Sequence, residues 1–202
     1  MRYHRIPDET VQRLPISLRG TLQLSQDGVD SISSDRFANH LGIHSWQIRK
    51  DLSYIDNFGI PGVGNDLKNL SKQIKRILKL NTQRLVAFVG VGNLGCALLT
   101  YPGFIAYGLK IDAAFDYDET KVGTIRNGIT IQDIANLPDL ITSDNALGIV
   151  TVPEEAAQDV ADRLVTNGIK GIVNLSSRAL VIPPKVKIIF IDIVMDLARL
   201  PC

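Results

Sequence analysis

Cysteine is scarce in these 202 residues: Cys96 and Cys202 are too few and too far apart for a disulfide framework, and the three histidines form no cluster with them. No metal site is expected. No run of about 18 apolar residues is present and no apolar segment follows a basic N-terminus, so neither a membrane span nor a secretory leader is expected and the compartment read is the cytoplasm. Aromatic residues make up only 6% of a chain that is 45% hydrophobic and 21% charged, which matches a soluble globular protein rather than a disordered or fibrous one. A dominant sign of charge is missing as well. With 22 basic and 21 acidic side chains the net charge is +1, which by itself argues for no polyanionic or polycationic partner.

That balance is uneven along the chain. Residues 1–84 carry 13 basic and 8 acidic side chains, net +5, and the remainder 9 and 13, net −4. Such asymmetry suggests two domains with different partners, divided here at 1–80 and 81–202.

In the first part apolar positions recur at helical spacing, with breaks expected at Gly20, Asp27-Gly28, Gly42 and the cluster from Gly59 to Gly64. Three or four short helices fit. Ser33 or Ser34 can cap a helix that buries Phe37, Ala38 and Leu41, Gly42 permits a turn, and Ser45 can cap the next helix. There Trp46, or the turn residue Ile43, is expected to face inward with Ile48 and Leu52, leaving Ser45, Gln47, Arg49 and Lys50 outside. Those outward side chains suit a DNA-reading helix: an arginine fork fits guanine edges, a glutamine amide fits adenine, and lysine meets phosphate. Downstream, Phe58 to Leu67 has the glycine spacing of a hairpin wing, although its tip, Ile60-Pro61, carries no cation. A further amphipathic helix from Leu67 to Leu80 follows.

The second part opens with an apolar run, Leu85 to Val89, followed at once by Gly90-Val91-Gly92-Asn93-Leu94-Gly95 and a helix-forming segment. A second apolar strand, Leu109 to Phe115, ends at Asp116, 21 residues beyond Gly95. In that context the glycine pattern is a dinucleotide fingerprint: glycines for the tight turn and the backbone approach to pyrophosphate, and a carboxylate for the adenine ribose. Tyr117, Asp118 and Glu119 bring no arginine for a 2′-phosphate, so NADH/NAD+ is preferred over the phosphorylated pair. Strands at Ala146 to Val152, Gly171 to Leu175 and Lys187 to Ile193, with a helix from Pro153 to Asn167, complete a doubly wound parallel sheet. Strand ends in such a sheet face the ligand, which nominates Thr151, Val152, Pro153 and Asn174 beside the nicotinamide.

All three histidines, His4, His40 and His44, lie in the helical part, and no Tyr-x-x-x-Lys proton relay is read in the second. The bound dinucleotide is therefore expected to be a signal rather than a reagent, and the chain not an enzyme. The residues alone still leave open an NAD-dependent oxidoreductase or a CoA-ligase-like Rossmann protein carrying a helical dimerisation module.

Taken together, Gln47-Ile48-Arg49-Lys50-Asp51-Leu52-Ser53, Gly90 to Gly95, Tyr101-Pro102-Gly103-Phe104, Phe115-Asp116, Thr151-Val152-Pro153 and Gly168-Ile169-Lys170-Gly171-Ile172 resemble the Rex family of redox-sensing transcriptional repressors. The resemblance runs from about Ile6 to Leu200. It implies an N-terminal winged helix-turn-helix domain, a Rossmann-type domain, a homodimer on double-stranded operator DNA, and release of that DNA when NADH binds. It also implies that Ser53 joins Ser45, Gln47, Arg49 and Lys50 at the DNA, and that Arg19, Tyr101 and Asp192 couple domains or subunits. Departures stand at Ile60-Pro61, where relatives carry a basic residue, at Asn65 and Leu175, where they carry aromatics, and at Cys202, short of their longer tail.

Overall fold

The computed structural model describes residues 6–55, 59–60, 64–140 and 146–201. The chain divides into two compact units, Met1–Asn81 and Thr82–Cys202.

The first unit runs α1 (Asp8–Gln26), β1 (Ser31–Ile32), α2 (Ser34–Leu41), α3 (Ser45–Ser53), β2 (Gly59–Ile60), β3 (Gly64–Asp66) and α4 (Leu67–Ile77). Its strands form a small antiparallel sheet in the order β1-β3-β2. Helix, turn, helix and hairpin make this a winged helix-turn-helix. Leu14 and Leu18 of α1, Phe37 of α2, Ile48 of α3 and Leu67, Leu70 and Ile74 of α4 are buried in its core. The Ser33 side chain caps α2 by accepting from the Arg36 N–H at 3.3 Å, and Gly42 closes that helix in the left-handed conformation, φ 65°. Of the wing tip named from sequence, Ile60-Pro61, Pro61 lies outside the described residues, as do Phe58, His4 and Cys202.

Three expectations are corrected here. Gly20 does not break a helix but sits inside the 19-residue α1. A Cβ at Gly20 would stand 2.4 Å from Leu41 Cδ2 and 3.2 Å from Phe37 Cε2, so the missing side chain is what lets α2 close on α1. Ser45 is the first residue of α3 rather than its cap: His44 holds the cap position and makes no side-chain capping bond. Trp46 points outward, 57% exposed. At about 100° per residue it lies about 200° around the helix from Ile48, so the two cannot share a face. Ile43, half-buried, takes the inward place instead.

The second unit runs β4 (Arg84–Val89), α5 (Asn93–Leu99), α6 (Gly103–Ala106), β5 (Leu109–Asp116), β6 (Ile125–Arg126), β7 (Ile129–Asp133), a 3-10 turn (Ile134–Asn136), α7 (Leu137–Leu140), β8 (Leu147–Val150), α8 (Glu154–Thr166), β9 (Gly171–Asn174), β10 (Lys187–Phe190) and α9 (Ile193–Ala198). The sheet order is β10-β9-β8-β4-β5-β7-β6, parallel throughout except for β6 against β7. Successive β4 residues feed opposite faces. Val86 and Phe88 pack with Leu99, Ile111 and Ala114, while Ala87 and Val89 pack with Ala157, Val160, Ala161 and Leu164 of α8. Burial on both faces explains why the run reads as uninterrupted apolar sequence. The chain winds from β4 to β5 and β7, then returns to β8 on the other side of β4. That reversal opens a crevice at the carboxyl ends of β4 and β8, where doubly wound sheets hold their ligands.

Candidate functional site

The glycine turn after β4 forms the floor of the crevice. Gly90 has φ +99°, and a Cβ there would lie 2.7 Å from the Thr151 backbone. A Cβ on Gly95 would lie 2.1 Å from the Gly90 carbonyl oxygen. The turn is locked from β8: the Thr151 hydroxyl donates to the Gly90 carbonyl at 2.6 Å, and the Thr151 N–H donates to the Val89 carbonyl at 2.9 Å. Gly92 has nothing within 4 Å of its would-be Cβ and lines the larger of two clefts, so its missing side chain leaves that space free. Asn93 and Leu94, both exposed, begin α5 beside it.

The larger cleft, about 590 Å³, is lined by Gly90, Gly92, Asp116, Tyr117, Asp118, Lys121, Thr151, Val152, Pro153, Ala156 and Asp159. Asp116 is largely buried and accepts three bonds: from the Val91 N–H at 2.7 Å, the Asp118 N–H at 3.0 Å and the Lys121 ammonium at 3.1 Å. Burial pushes its carboxyl up, but these donors outweigh burial and hold it below the usual carboxylate range. Lys121 also reaches Asp118 at 3.5 Å. Sequence reasoning named Asp116 but missed Lys121, Ala156 and Asp159, because neither a loop residue's direction nor the face that α8 turns to the cleft follows from spacing alone.

Tyr117 and Lys121 do have the Tyr-x-x-x-Lys spacing, which corrects the reading above. Their surroundings are not those of a proton relay. The Tyr117 hydroxyl donates to Asp159, itself paired with Arg163 at 2.8 Å. Burial and that carboxylate push the tyrosine up to about 12, away from the range in which it could release a proton at neutral pH.

The smaller cleft, about 350 Å³, shares Val152 and Pro153 with the first and continues along Leu94, Glu154, Leu175, Ser176, Ser177 and Ile191 to Val194. Asn174 is fully buried beneath it. Its amide oxygen accepts from the Ser176 N–H at 3.1 Å and its nitrogen donates to the Arg178 carbonyl at 2.8 Å, so this side chain shapes the loop after β9 rather than lining the cleft.

In the first unit, α3 is held by Asp51. This carboxylate, 2% exposed, accepts the Thr10 hydroxyl at 2.9 Å and a two-pronged Arg13 guanidinium at 2.7 Å on each oxygen. The Asp51 hydrogen bond raises Arg13 above its ordinary value. Gln47, with its amide oxygen toward Arg13, accepts from the same guanidinium at 2.8 Å. Arg49 pairs with Asp35 at 2.7 Å and with the Ser45 hydroxyl at 3.2 Å, both bonds being exposed. Lys50 is exposed, and the Ser53 hydroxyl turns back to the Lys50 carbonyl at 2.7 Å. Asn65 is buried, and its amide donates to the Ile32 carbonyl at 3.2 Å, tying the hairpin to β1.

Of the three residues nominated for coupling, Tyr101 and Asp192 have local contacts. Arg19 is exposed on α1. Tyr101 is exposed and meets Phe104 edge to face at 5.9 Å. Asp192 caps α9 by accepting from the Met195 N–H at 3.1 Å. Around it β10 and α9 leave Ile189, Phe190, Ile193, Val194, Met195 and Leu197 exposed together. Among the described residues no group of three metal-ligating side chains forms, and no helix is long and apolar enough to cross a membrane.

Two family models match the chain: a putative DNA-binding protein N-terminus over residues 5–53 and a CoA binding domain over residues 81–178. A redox-sensing transcriptional repressor Rex from Syntrophobacter fumaroxidans is 43% identical over 91% of this chain and 88% of its own length. The solved structure of RSP in complex with beta-NAD+ and operator DNA superimposes with a TM-score of 0.89 at 29% identity, covering 96% of this chain and 89% of that one. RSP in complex with beta-NADH matches with a TM-score of 0.85 at 29% identity over 96% and 91%. With a winged helix-turn-helix, a Rossmann-type sheet and relatives of this likeness over nearly the whole length, the chain belongs to the Rex family of redox-sensing transcriptional repressors.

Proposed function

We propose that this chain binds NADH and NAD+ across its two clefts as regulatory ligands, holds operator DNA as a homodimer through α3 and the hairpin, and leaves the DNA when NADH binds. The observation that carries this is the pairing, in one chain, of a glycine-turn crevice with a DNA-reading fold. RSP, similar along almost the full length, is described with NAD+ and operator DNA and with NADH.

In this reading residues 1–80 form the DNA domain, and 81–202 the nucleotide and dimer domain. Gly90 to Gly95 take the pyrophosphate, where missing side chains leave room for it. Asp116 takes the adenine ribose, Thr151 fixes the turn, Val152 and Pro153 separate the two halves of the dinucleotide, and Asn174 shapes the far end. The oxidised nicotinamide is a cation and the reduced ring is neutral. An apolar lining of Leu94, Val152, Leu175 and Ile193 therefore costs the oxidised ring more desolvation. The exposed Glu154 carboxylate works the other way, but water screens it. No step of catalysis is required, so we assign the chain a regulatory rather than an enzymatic role, in the cytoplasm.

The test is a titration of DNA affinity at several fixed concentrations of each nucleotide. NADH is expected to weaken DNA binding about 10- to 100-fold, in the usual range of coupling between two sites, and NAD+ to leave it nearly unchanged. NADH that binds the protein without moving DNA affinity would overturn the reading.

Asp116→Asn tests the ribose assignment. The amide keeps an acceptor for the Val91 N–H but removes the charge that repels a 2′-phosphate and engages the Lys121 ammonium. The preference for NADH over NADPH is expected to fall about tenfold, the equivalent of one pK unit of charge interaction, in paired fluorescence titrations. An unchanged ratio would remove Asp116 from the ribose.

A further inference from the structure

Trp46 is the sole tryptophan of the chain, and it is 57% exposed on the first turn of α3. A side chain of that size standing in water is the largest apolar cost α3 carries, and no core position calls for it. Its surroundings are also organised. The His44 imidazole lies beside the indole at 6.5 Å between ring centroids and 15° between planes, which limits the orientations open to both rings. Arg13, Gln47 and Lys50 share a small depression with it, together with Pro7, Thr10 and the Glu9 carboxylate. Arg13 is committed to Asp51 and Glu9 faces the same depression, so Lys50 is the cation that accompanies the indole; an apolar plate beside a lysine and an amide fits a partner that presents negative charge and, within it, an apolar spot.

We infer that Trp46 is a base-reading residue whose indole packs against the 5-methyl group of a thymine in the major groove. The inference rests on the DNA role proposed for α3. In helix-turn-helix docking the N-terminal residues of the second helix meet base edges, and Trp46 stands in that turn. Among the groups that base edges display in the major groove, the thymine methyl is the apolar one. Neighbouring Lys50 and Arg49 meet phosphate or guanine, so the indole adds a preference at its own position without adding charge.

The experiment uses the full chain and a duplex that it selects from a randomised pool. Each thymine of the selected site is replaced in turn by deoxyuridine, which removes only the methyl group. At least one thymine per half-site is expected to lose about fourfold in affinity on this replacement, as for burial of one apolar carbon. Trp46→Ala should weaken binding to the thymine duplex and abolish that sensitivity, while leaving the melting temperature and NADH affinity unchanged. The fluorescence of Trp46 in the wild-type chain should change on adding the duplex. Three results would overturn the inference: deoxyuridine effects that are equal in the wild type and Trp46→Ala, fluorescence indifferent to DNA, or fluorescence that follows protein concentration alone, which would place Trp46 in a contact between copies. If the chain selects no duplex at all, the DNA role itself fails and this inference with it.

Discussion

Replacing Asp51 by alanine is expected to lower the stability of the first unit by about 3 kcal/mol, the lower end of what removing one partner of a buried ion pair costs. The lower end applies because Asp51 is 3% exposed at its side chain but Arg13 is 27% exposed, so water can partly rehydrate the guanidinium. The change strips α3 of the Asp51 bonds to Thr10 and Arg13 of α1, leaves the Thr10 hydroxyl without this acceptor and leaves Gln47 as the α3 partner of the guanidinium. For a unit of this size the loss corresponds to roughly 12–24 °C in melting temperature, read by circular dichroism on the full chain. DNA binding should fall with it, because the angle of α3 is set by this carboxylate. Arg49→Ala is the matched contrast. It also removes a 2.7 Å ion pair to an aspartate, but one exposed by 54% and 67%, and should cost less than about 0.5 kcal/mol. Equal melting shifts for the two variants would show that burial does not decide the value of these pairs.

In the second unit the largest effect is expected at Gly95, and Gly92 supplies the comparison. In Gly95→Ala the new methyl would stand 2.1 Å from the Gly90 carbonyl oxygen and 3.2 Å from Phe88 Cε1, so the glycine turn or α5 must move. Overpacking against backbone costs about 3 kcal/mol, and displacement of the turn should abolish nucleotide binding. A methyl on Gly92 meets nothing within 4 Å, so Gly92→Ala should melt like the wild type. Yet that methyl would occupy cleft space, and NADH affinity should still fall by at least about tenfold, as for a lost or displaced close contact. Thermal melts and NADH fluorescence on the two variants separate the roles. Gly92→Ala binding NADH as tightly as the wild type would remove this turn from the pyrophosphate.

The Rossmann half is the more legible part of the sequence, for a physical reason. A strand buried on both faces must be apolar without interruption, and a turn that lets a helix begin against the sheet must be glycine, so Leu85 to Gly95 has few other readings. The Asn127-Gly128 turn, with φ of 51° and 77°, is just as strong a hairpin signal, and it marks β6 and β7, which strand spacing alone leaves out. In the helical half, a pattern of apolar residues specifies the phase of a helix only as far as its buried positions are apolar. Asp51 breaks that assumption: its partner Arg13 comes from another helix 38 residues away, and with Asp51 turned inward Trp46 is carried outward. Gly20 misleads in the same way. A residue that breaks an isolated helix is, against Phe37 and Leu41, the one that allows two helices to touch. Lys121 is invisible for a third reason, since a loop five residues beyond Asp116 has no periodicity to aim it.

The apolar surface on β10 and α9 lies at one edge of the sheet, while the other edge ends in the two-residue antiparallel strand β6. In the homodimer proposed above, that exposed face is the surface a second copy of the chain would cover, and a face paired with itself closes at two. Such a dimer would also dictate the form of the message the protein reads. Two copies related by a two-fold axis meet the duplex in opposite directions, so the word they recognise has to spell the same on both strands.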